Sequence, residues 1–334
     1  MRFVVFGAGA IGGVVGACLH QAGHDVALIA RGEHGRVIRE RGLTFERPGV
    51  GAVTLRIPAA PSPAELEWDG DEVVLLATKS QDTAGALTSL RGVAPMTTPV
   101  VCVQNAVENE RVALRLFTDV YGAVVMAPTG HLEPGIVQAY GTRGVGVIDI
   151  GRYPEGVDEV CEQVAGALNA SEFSSKPRPD IMRFKYAKLL ANLGNAVDAI
   201  CEPGDAASEV MSLAKEEGRA ALAAAGIEFV AEEVNDVQAR WERLDLQPIE
   251  GKPRAGSSTR QSLVRGTPSV ETDYLNGEIG LIGRLHRVPT PVNDVLCELS
   301  DRHVRERREP GTLPAGEVLA RARAGHYADG SVRR

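Results

Sequence analysis

The chain opens Arg2-Phe3-Val4-Val5-Phe6-Gly7-Ala8-Gly9-Ala10-Ile11-Gly12. A short run of β-branched and aromatic residues leads into three glycines, and Ile11–Gln21 then has the length and composition of a helix. In a strand–turn–helix of this kind the first glycine permits the tight turn. The second lets backbone N–H groups approach a pyrophosphate, and the third lets the helix pack close to the strand. The helix N-terminus then faces the phosphates with its positive end. Gly7, Ala8, Gly9, Ala10, Ile11 and Gly12 are therefore the candidate dinucleotide-binding residues, set against the plainer alternative of a glycine-rich turn with no ligand.

Outward from this turn, apolar strands alternate with helical stretches. The strand candidates are Phe3–Phe6, Asp25–Ala30, Glu72–Ala77, Pro99–Val103, Tyr121–Met126, Ile136–Tyr140 and Val145–Ile150. Ile11–Gln21, His34–Arg41, Thr83–Leu90 and Asn109–Phe117 are helical in pattern. This alternation predicts an α/β, doubly wound, largely parallel sheet covered on both faces. The strands beyond Gly122 lack long helices between them and are expected to extend the sheet antiparallel.

Ser174-Ser175-Lys176-Pro177-Arg178-Pro179-Asp180 marks a boundary, because two prolines stop a helix and Asp180 can cap the next one. Beyond it Ile181–Ile200, Ala206–Ala225, Ile227–Arg243, Val270–His286 and Pro291–Arg305 read as helices. The expected organisation is a Rossmann-type domain over residues 1–173 and an all-α domain over 180–308. A loose tail would follow over 309–334, disordered from Gly325. Leu244–Pro268, rich in glycine, serine and proline, reads as a long connection.

At 334 residues, 44% hydrophobic and 24% charged, the chain has material for two cores. The net charge of −8 argues against a sequence-independent nucleic-acid binder, which needs a basic surface. Cys18, Cys102, Cys161, Cys201 and Cys297 are scattered, with no metal-ligand spacing, and are expected to be reduced, buried thiols; no metal is expected. No apolar run approaches the roughly 18–20 residues of a membrane span, and Met1 leads directly into the first strand. A cytoplasmic protein with neither membrane nor nucleic-acid partner is the expectation.

The second strand ends at Arg31, where an acidic residue would bind a ribose 2′-hydroxyl. A guanidinium can grip a 2′-phosphate that a carboxylate would repel, so NADPH/NADP+ is expected over NADH unless Arg31 is only a solvated surface residue. Lys79 and Asn105 follow two further strands at their carboxyl ends, where ligands of open α/β sheets bind. Lys79 adds charge near the cofactor or caps its strand in solvent. Asn105 binds the nicotinamide ribose or substrate, or stabilises a turn.

These motifs, in order and spacing, resemble the ketopantoate reductase (2-dehydropantoate 2-reductase) family along nearly the whole chain. The resemblance rests on Gly7–Gly12, Arg31-Gly-Glu-His34, Lys79-Ser-Gln-Asp-Thr83 and Gln104-Asn105. It extends to Lys188-Leu-Leu-Ala-Asn192, Glu271-Thr-Asp-Tyr-Leu-Asn276-Gly277 and Val288-Pro-Thr-Pro-Val-Asn293. It implies NADPH-dependent reduction of a 2-oxo acid, ketopantoate, to (R)-pantoate on the way to pantothenate. It also implies Lys188 as general acid and Glu271 as the residue orienting the substrate hydroxyl, with Asn105, Asn192 and Ser258 completing the substrate pocket. A homodimer is left open.

On one helix Asn192 lies one turn beyond Lys188 and Asn195 two turns beyond, so the three would share a face. An ammonium there can stabilise the negative charge a ketone oxygen gains with hydride and then protonate it. The alternative is a solvated polar face opposite Leu189, Leu190 and Leu193. Glu271 also suits a helix N-terminus on dipole grounds alone. The family often has a second asparagine eight residues after the lysine; here Ala196 stands there and Asn195 is at seven. Ser258 lies thirteen residues before Glu271, one out of step, with Thr259 as its alternative.

Two other readings remain open. One is a dehydrogenase of the 6-phosphogluconate-dehydrogenase-like class acting on another oxo acid or an imine. The other is a non-catalytic NADPH-binding regulator.

Overall fold

The computed structural model describes residues 1–330 apart from 252, 253, 255 and 268. The chain begins with β1 (Arg2–Phe6), α1 (Ala10–Gln21), β2 (Val26–Ile29), α2 (Gly32–Arg41), β3 (Leu43–Arg47), β4 (Gly51–Leu55), β5 (Ala59–Ala60) and β6 (Glu72–Leu76). It continues with α3 (Thr83–Arg91), β7 (Val100–Cys102), α4 (Asn109–Leu114), β8 (Val120–Met126), β9 (Thr129–Gly130), β10 (Ile136–Ala139), β11 (Gly146–Arg152), α5 (Glu159–Ala170) and β12 (Phe173–Ser174).

The main sheet has the order β12-β11-β8-β7-β6-β1-β2-β5. Its six parallel strands, counted along the chain, lie 3-2-1-4-5-6, the doubly wound order whose direction reverses between β1 and β6. Alternate residues of β1 feed two cores: Phe3 and Val5 join one face, Val4 and Phe6 the other. Burial on both faces is why these strands read as continuous apolar runs.

The later strands depart from the expectation of a simple antiparallel extension. β8 pairs parallel to β7, β11 pairs antiparallel to β8, and β12 returns parallel to β11. Ile136–Tyr140 does not extend this sheet at all. β10 pairs parallel with β3 and antiparallel with β9, in a second sheet of order β4-β3-β10-β9. Leu43, Phe45, Val137 and Ala139 point inward there, whereas β4 is exposed along most of its length.

The helical part comprises α6 (Ile181–Asn192), α7 (Gly194–Ile200), α8 (Asp205–Ala224), α9 (Asp236–Glu242), α10 (Ser258–Val264), α11 (Thr272–His286), α12 (Pro291–Glu306) and α13 (Ala315–Gly330). Three expectations need correction. Ile227–Arg243 is not one helix, since only α9 forms there. The expected connection Leu244–Pro268 contains α10, although Pro268 itself lies outside the described residues. The expected loose tail contains α13, with Leu313, Ala315, Val318 and Ala322 buried; residues 331–334 lie outside the described residues.

The chain divides into two compact units, Met1–Lys185 with Val230–Arg254, and Tyr186–Phe229 with Ala255–Arg334. This division falls inside α6. Fully buried Asp149 on β11 explains why α9 belongs with the sheet. Its carboxylate accepts from Arg178 Nε at 2.9 Å and Arg240 Nη1 at 2.9 Å, with Arg240 Nη2 bonded as well. In the second unit Glu217 of α8 caps α12, accepting the N–H groups of Val292 and Asn293 at 2.9 and 3.0 Å.

Candidate active site

In the first unit the glycine turn sits at the carboxyl end of β1, beside the switch point. Gly7 has φ +106°, and its N–H donates to the Ile29 carbonyl at 3.0 Å, tying the turn to β2. A Cβ on Gly12 would lie 2.1 Å from the Gly7 carbonyl and 2.9 Å from Ala77 Cβ, so only glycine lets α1 approach the sheet here. Gly9 is the opposite case. A Cβ there would meet nothing within 4 Å, and no side chain caps α1. The first N–H groups of α1 and the open space at Gly9 form a cradle that fits a pyrophosphate.

Arg31 ends the β2 segment as the N-cap residue of α2, its side chain 70% exposed and 3.5 Å from Asp82. The structure thus brings Arg31 next to the loop after β6, where half-buried Lys79 starts a short 3-10 turn over Ser80–Asp82. Asn105 is half-buried after β7, and its carbonyl accepts from Asn109 Nδ2 at 2.9 Å. Ala106 beside it has φ +68°, a left-handed conformation that costs an alanine energy.

The sequence reading missed the polar network beneath these two loops. Gln104 Nε2 donates to the Thr78 carbonyl and to Thr83 Oγ1, both at 2.8 Å. Thr83 Oγ1 in turn donates to Asn109 Oδ1 at 2.8 Å, and Asn109 Nδ2 lies 3.2 Å from Ser80 Oγ. Buried Lys185 donates to the Gln104 carbonyl at 3.0 Å and pairs with buried Glu110. Burial pushes the Glu110 carboxyl above the usual range, against the pull of Lys185. The one local signal was a set of amides and hydroxyls amid apolar neighbours.

In the second unit Lys188 is half-buried on α6, and Asn192 follows one turn later, 6% exposed, with Nδ2 buried and without a hydrogen-bond partner. A buried amide donor left unpaired is costly unless a ligand accepts from it. The expected single helix is interrupted between Asn192 and Asn195. α6 ends at Asn192, and Asn195 lies in the first turn of α7 with its carbonyl accepting from Ser257 Oγ at 3.3 Å. The Leu193 carbonyl at the break accepts from Asn276 Nδ2 at 3.1 Å, which ties α11 to the end of α6.

Glu271 occupies the N-cap position of α11 and is 6% exposed, but its side chain does not cap the helix. Next to it Thr272 Oγ1 is buried without a partner. Ser258 begins α10 and is half-buried, Thr259 is buried, and Ser257 supplies the cap to Arg260 N–H at 3.2 Å. Burial pushes the thiols of Cys18 and Cys297 up to about 12, and those of Cys161 and Cys201 to about 11, so none is a ready nucleophile at neutral pH.

Two family models match the chain, Ketopantoate reductase PanE/ApbA over residues 3–155 and its C-terminal counterpart over residues 180–303. The chain belongs to the ketopantoate reductase family. With that family it belongs to the oxidoreductases. It is 30% identical over 307 residues to the 2-dehydropantoate 2-reductase of Pyrococcus horikoshii, covering 90% of this chain and 96% of that one. The Archaeoglobus fulgidus 2-dehydropantoate 2-reductase is 28% identical over 309 residues, covering 89% and 96%.

Among solved structures, the PanE/ApbA family ketopantoate reductase of Ralstonia eutropha JMP134 matches with TM-score 0.76 and 29% identity, covering 92% of this chain and all of that one. D-mandelate dehydrogenase, solved with NADH and anilino(oxo)acetate, matches with TM-score 0.77 and 25% identity, covering 92% and 99%. Among the described residues of this family member, no helix is long and apolar enough to cross a membrane.

Proposed function

We propose that this chain is an NADPH-dependent 2-dehydropantoate 2-reductase that forms (R)-pantoate from ketopantoate in pantothenate biosynthesis. The observation that carries this reading is its relationship to curated 2-dehydropantoate 2-reductases over about nine-tenths of its length. Gly7–Gly12 would hold the pyrophosphate, Arg31 and Lys79 the 2′-phosphate side, and Asn105 the nicotinamide ribose or substrate. Arg31 stands where a carboxylate would favour NADH, which supports the choice of NADPH.

When bound, the cofactor supplies the hydride that reaches the carbonyl carbon. Lys188 donates a hydrogen bond to the ketone oxygen, stabilises the charge that builds there, and transfers the proton that completes the hydroxyl. The unpaired Asn192 amide donates to the substrate's oxo-acid end without adding net charge. Glu271 accepts from the substrate hydroxyl and so orients it. Ser258, or buried Thr259, and Asn195 complete the pocket. We place the reaction in the cytoplasm and take a homodimer as the assembly to test by sedimentation.

The likeness to D-mandelate dehydrogenase supports a second reading, a reductase of another 2-oxo acid using NADH. Steady-state oxidation of NADPH and of NADH with ketopantoate, pyruvate and phenylglyoxylate separates the two. The first reading requires the highest kcat/KM with NADPH and ketopantoate. Tight NADPH binding without turnover of any oxo acid would sink both and favour a regulator.

A further inference from the structure

We infer that His34 is a positioning residue that aims the glycine turn at its ligand by fixing the Ala8–Gly9 peptide. The inference rests on the dinucleotide reading of that turn. His34 lies in the first turn of α2, three residues after Arg31. Its Nδ1 accepts the Gly135 N–H at 2.8 Å, so the ring proton sits on Nε2. That Nε2–H points at the Ala8 carbonyl, 2.7 Å away, and donates to it.

Several contacts hold the imidazole in place. Gly135 has φ +80°, and a Cβ there would lie 2.3 Å from Val37 Cγ1, so the 131–135 loop is packed tightly onto α2. The His131 ring packs against His34 at a tilt of 49°, with centroids 4.1 Å apart. The acceptor side of His34 is therefore tied to the 131–135 loop through the Gly135 N–H, and its donor side acts on the turn.

The consequence follows from peptide planarity. In a trans peptide the carbonyl of Ala8 and the N–H of Gly9 point in opposite directions. A peptide ahead of glycine flips at little cost, because glycine tolerates both orientations. With the carbonyl held by His34, the Gly9 N–H is turned away from the imidazole. Apart from Gly9 and its immediate chain neighbours, nothing lies within 4 Å of the Cβ position at Gly9, so the ligand side of the turn is open. A single residue on α2 thus orients a phosphate-binding N–H without touching phosphate.

Two substitutions separate the two halves of this device. His34→Asn keeps an acceptor where Nδ1 stands and deletes the donor to Ala8. His34→Gln keeps a donor at the reach of Nε2 and deletes the acceptor for Gly135. NADPH and NADH are titrated into each full-length variant by nicotinamide fluorescence, with thermal melts as the fold control. The expected result is an NADPH Kd raised about tenfold in His34→Asn, the effect of one oriented hydrogen bond, and restored to within about threefold of the parent in His34→Gln. At saturating cofactor, kcat of His34→Asn stays within about twofold. Unchanged affinity in His34→Asn would overturn the inference. Equal weakening in both variants would also overturn it and leave His34 a support for the 131–135 loop. Failure of the parent chain to bind either nucleotide would remove the dinucleotide reading, and this inference with it.

Discussion

Lys185 and Glu110 are paired across 75 residues of sequence with side chains only 2% and 0% exposed, and the same ammonium donates to the Gln104 carbonyl at 3.0 Å. Removing one partner of a buried pair strands the other charge, at a cost of about 3–5 kcal/mol. Glu110→Leu and Lys185→Met singly are therefore expected to lower the denaturation midpoint strongly. The double variant is expected to recover most of that loss, because apolar residues of similar volume replace both charges. It still lacks the bond to Gln104, so its kcat/KM should stay depressed. A double variant no more stable than the singles would show that the pair is not mutually compensated.

The glycine turn gives a contrast between two neighbours. Gly9→Val projects into open space and is expected to melt within a few degrees of the parent. Its side chain fills the cradle, so NADPH affinity should fall by about two orders of magnitude or more, well beyond the roughly tenfold loss of a single hydrogen bond. Gly12→Ala places its Cβ 2.1 Å from the Gly7 carbonyl and is expected to destabilise the fold itself. Calorimetry with and without NADPH reads both effects. A Gly9→Val variant that binds normally would remove the turn from the cofactor site.

Lys188→Ala tests the proton donor. Loss of a positioned general acid typically costs about 10²–10⁴ in rate, so kcat should fall in that range while the melting temperature and NADPH affinity change little. Full activity in this variant would end the proposed role.

Ala106, at φ +68°, is expected to be relieved by Ala106→Gly. A left-handed alanine costs about 1–2 kcal/mol, and the added freedom of glycine in the unfolded chain offsets roughly 0.5–1 of that. A small gain in stability is the expected outcome, read by urea denaturation. A clear loss would mean that the neighbouring network, not the backbone, sets this conformation.

Asp158 gives a pH dependence whose sign is fixed. Burial raises its carboxyl. The Cys161 N–H, the Arg152 guanidinium and the Tyr121 hydroxyl more than offset that and hold it below the ordinary range. Its contribution is therefore present above the unfolded value of about 4 and is lost as pH falls through the lower folded value. Stability measured from pH 6 down to 2 should fall less steeply for Asp158→Asn than for the parent. Parallel curves would contradict the assignment.

The features legible in the sequence were those whose spacing is local. The glycines from Gly7 to Gly12 stand at fixed spacing in one strand–turn–helix and are readable there, even though Gly7 and Gly12 act on Ile29 and Ala77. Lys188 is linked to Asn192 by helical spacing alone. The interruption of the expected helix at Leu193 was not legible, because the Leu193 carbonyl there is taken by Asn276 from 83 residues away. Gln104, Glu110 and Lys185 form a network only once the chain has folded back. β4 escaped notice because its residues are mostly exposed and show no alternation of apolar and polar positions.

Asp149, held between Arg178 and Arg240, bears on how the polypeptide can be cut. The backbone passes from one unit to the other at Lys185–Tyr186, Phe229–Val230 and Arg254–Ala255, so neither unit is a contiguous stretch. A fragment ending at residue 173 would keep Asp149 and lose both of its arginines. The halves recognised by the two family models are thus not exchangeable modules. A chimera with a relative would have to carry Val230–Arg254 from the same parent as the sheet.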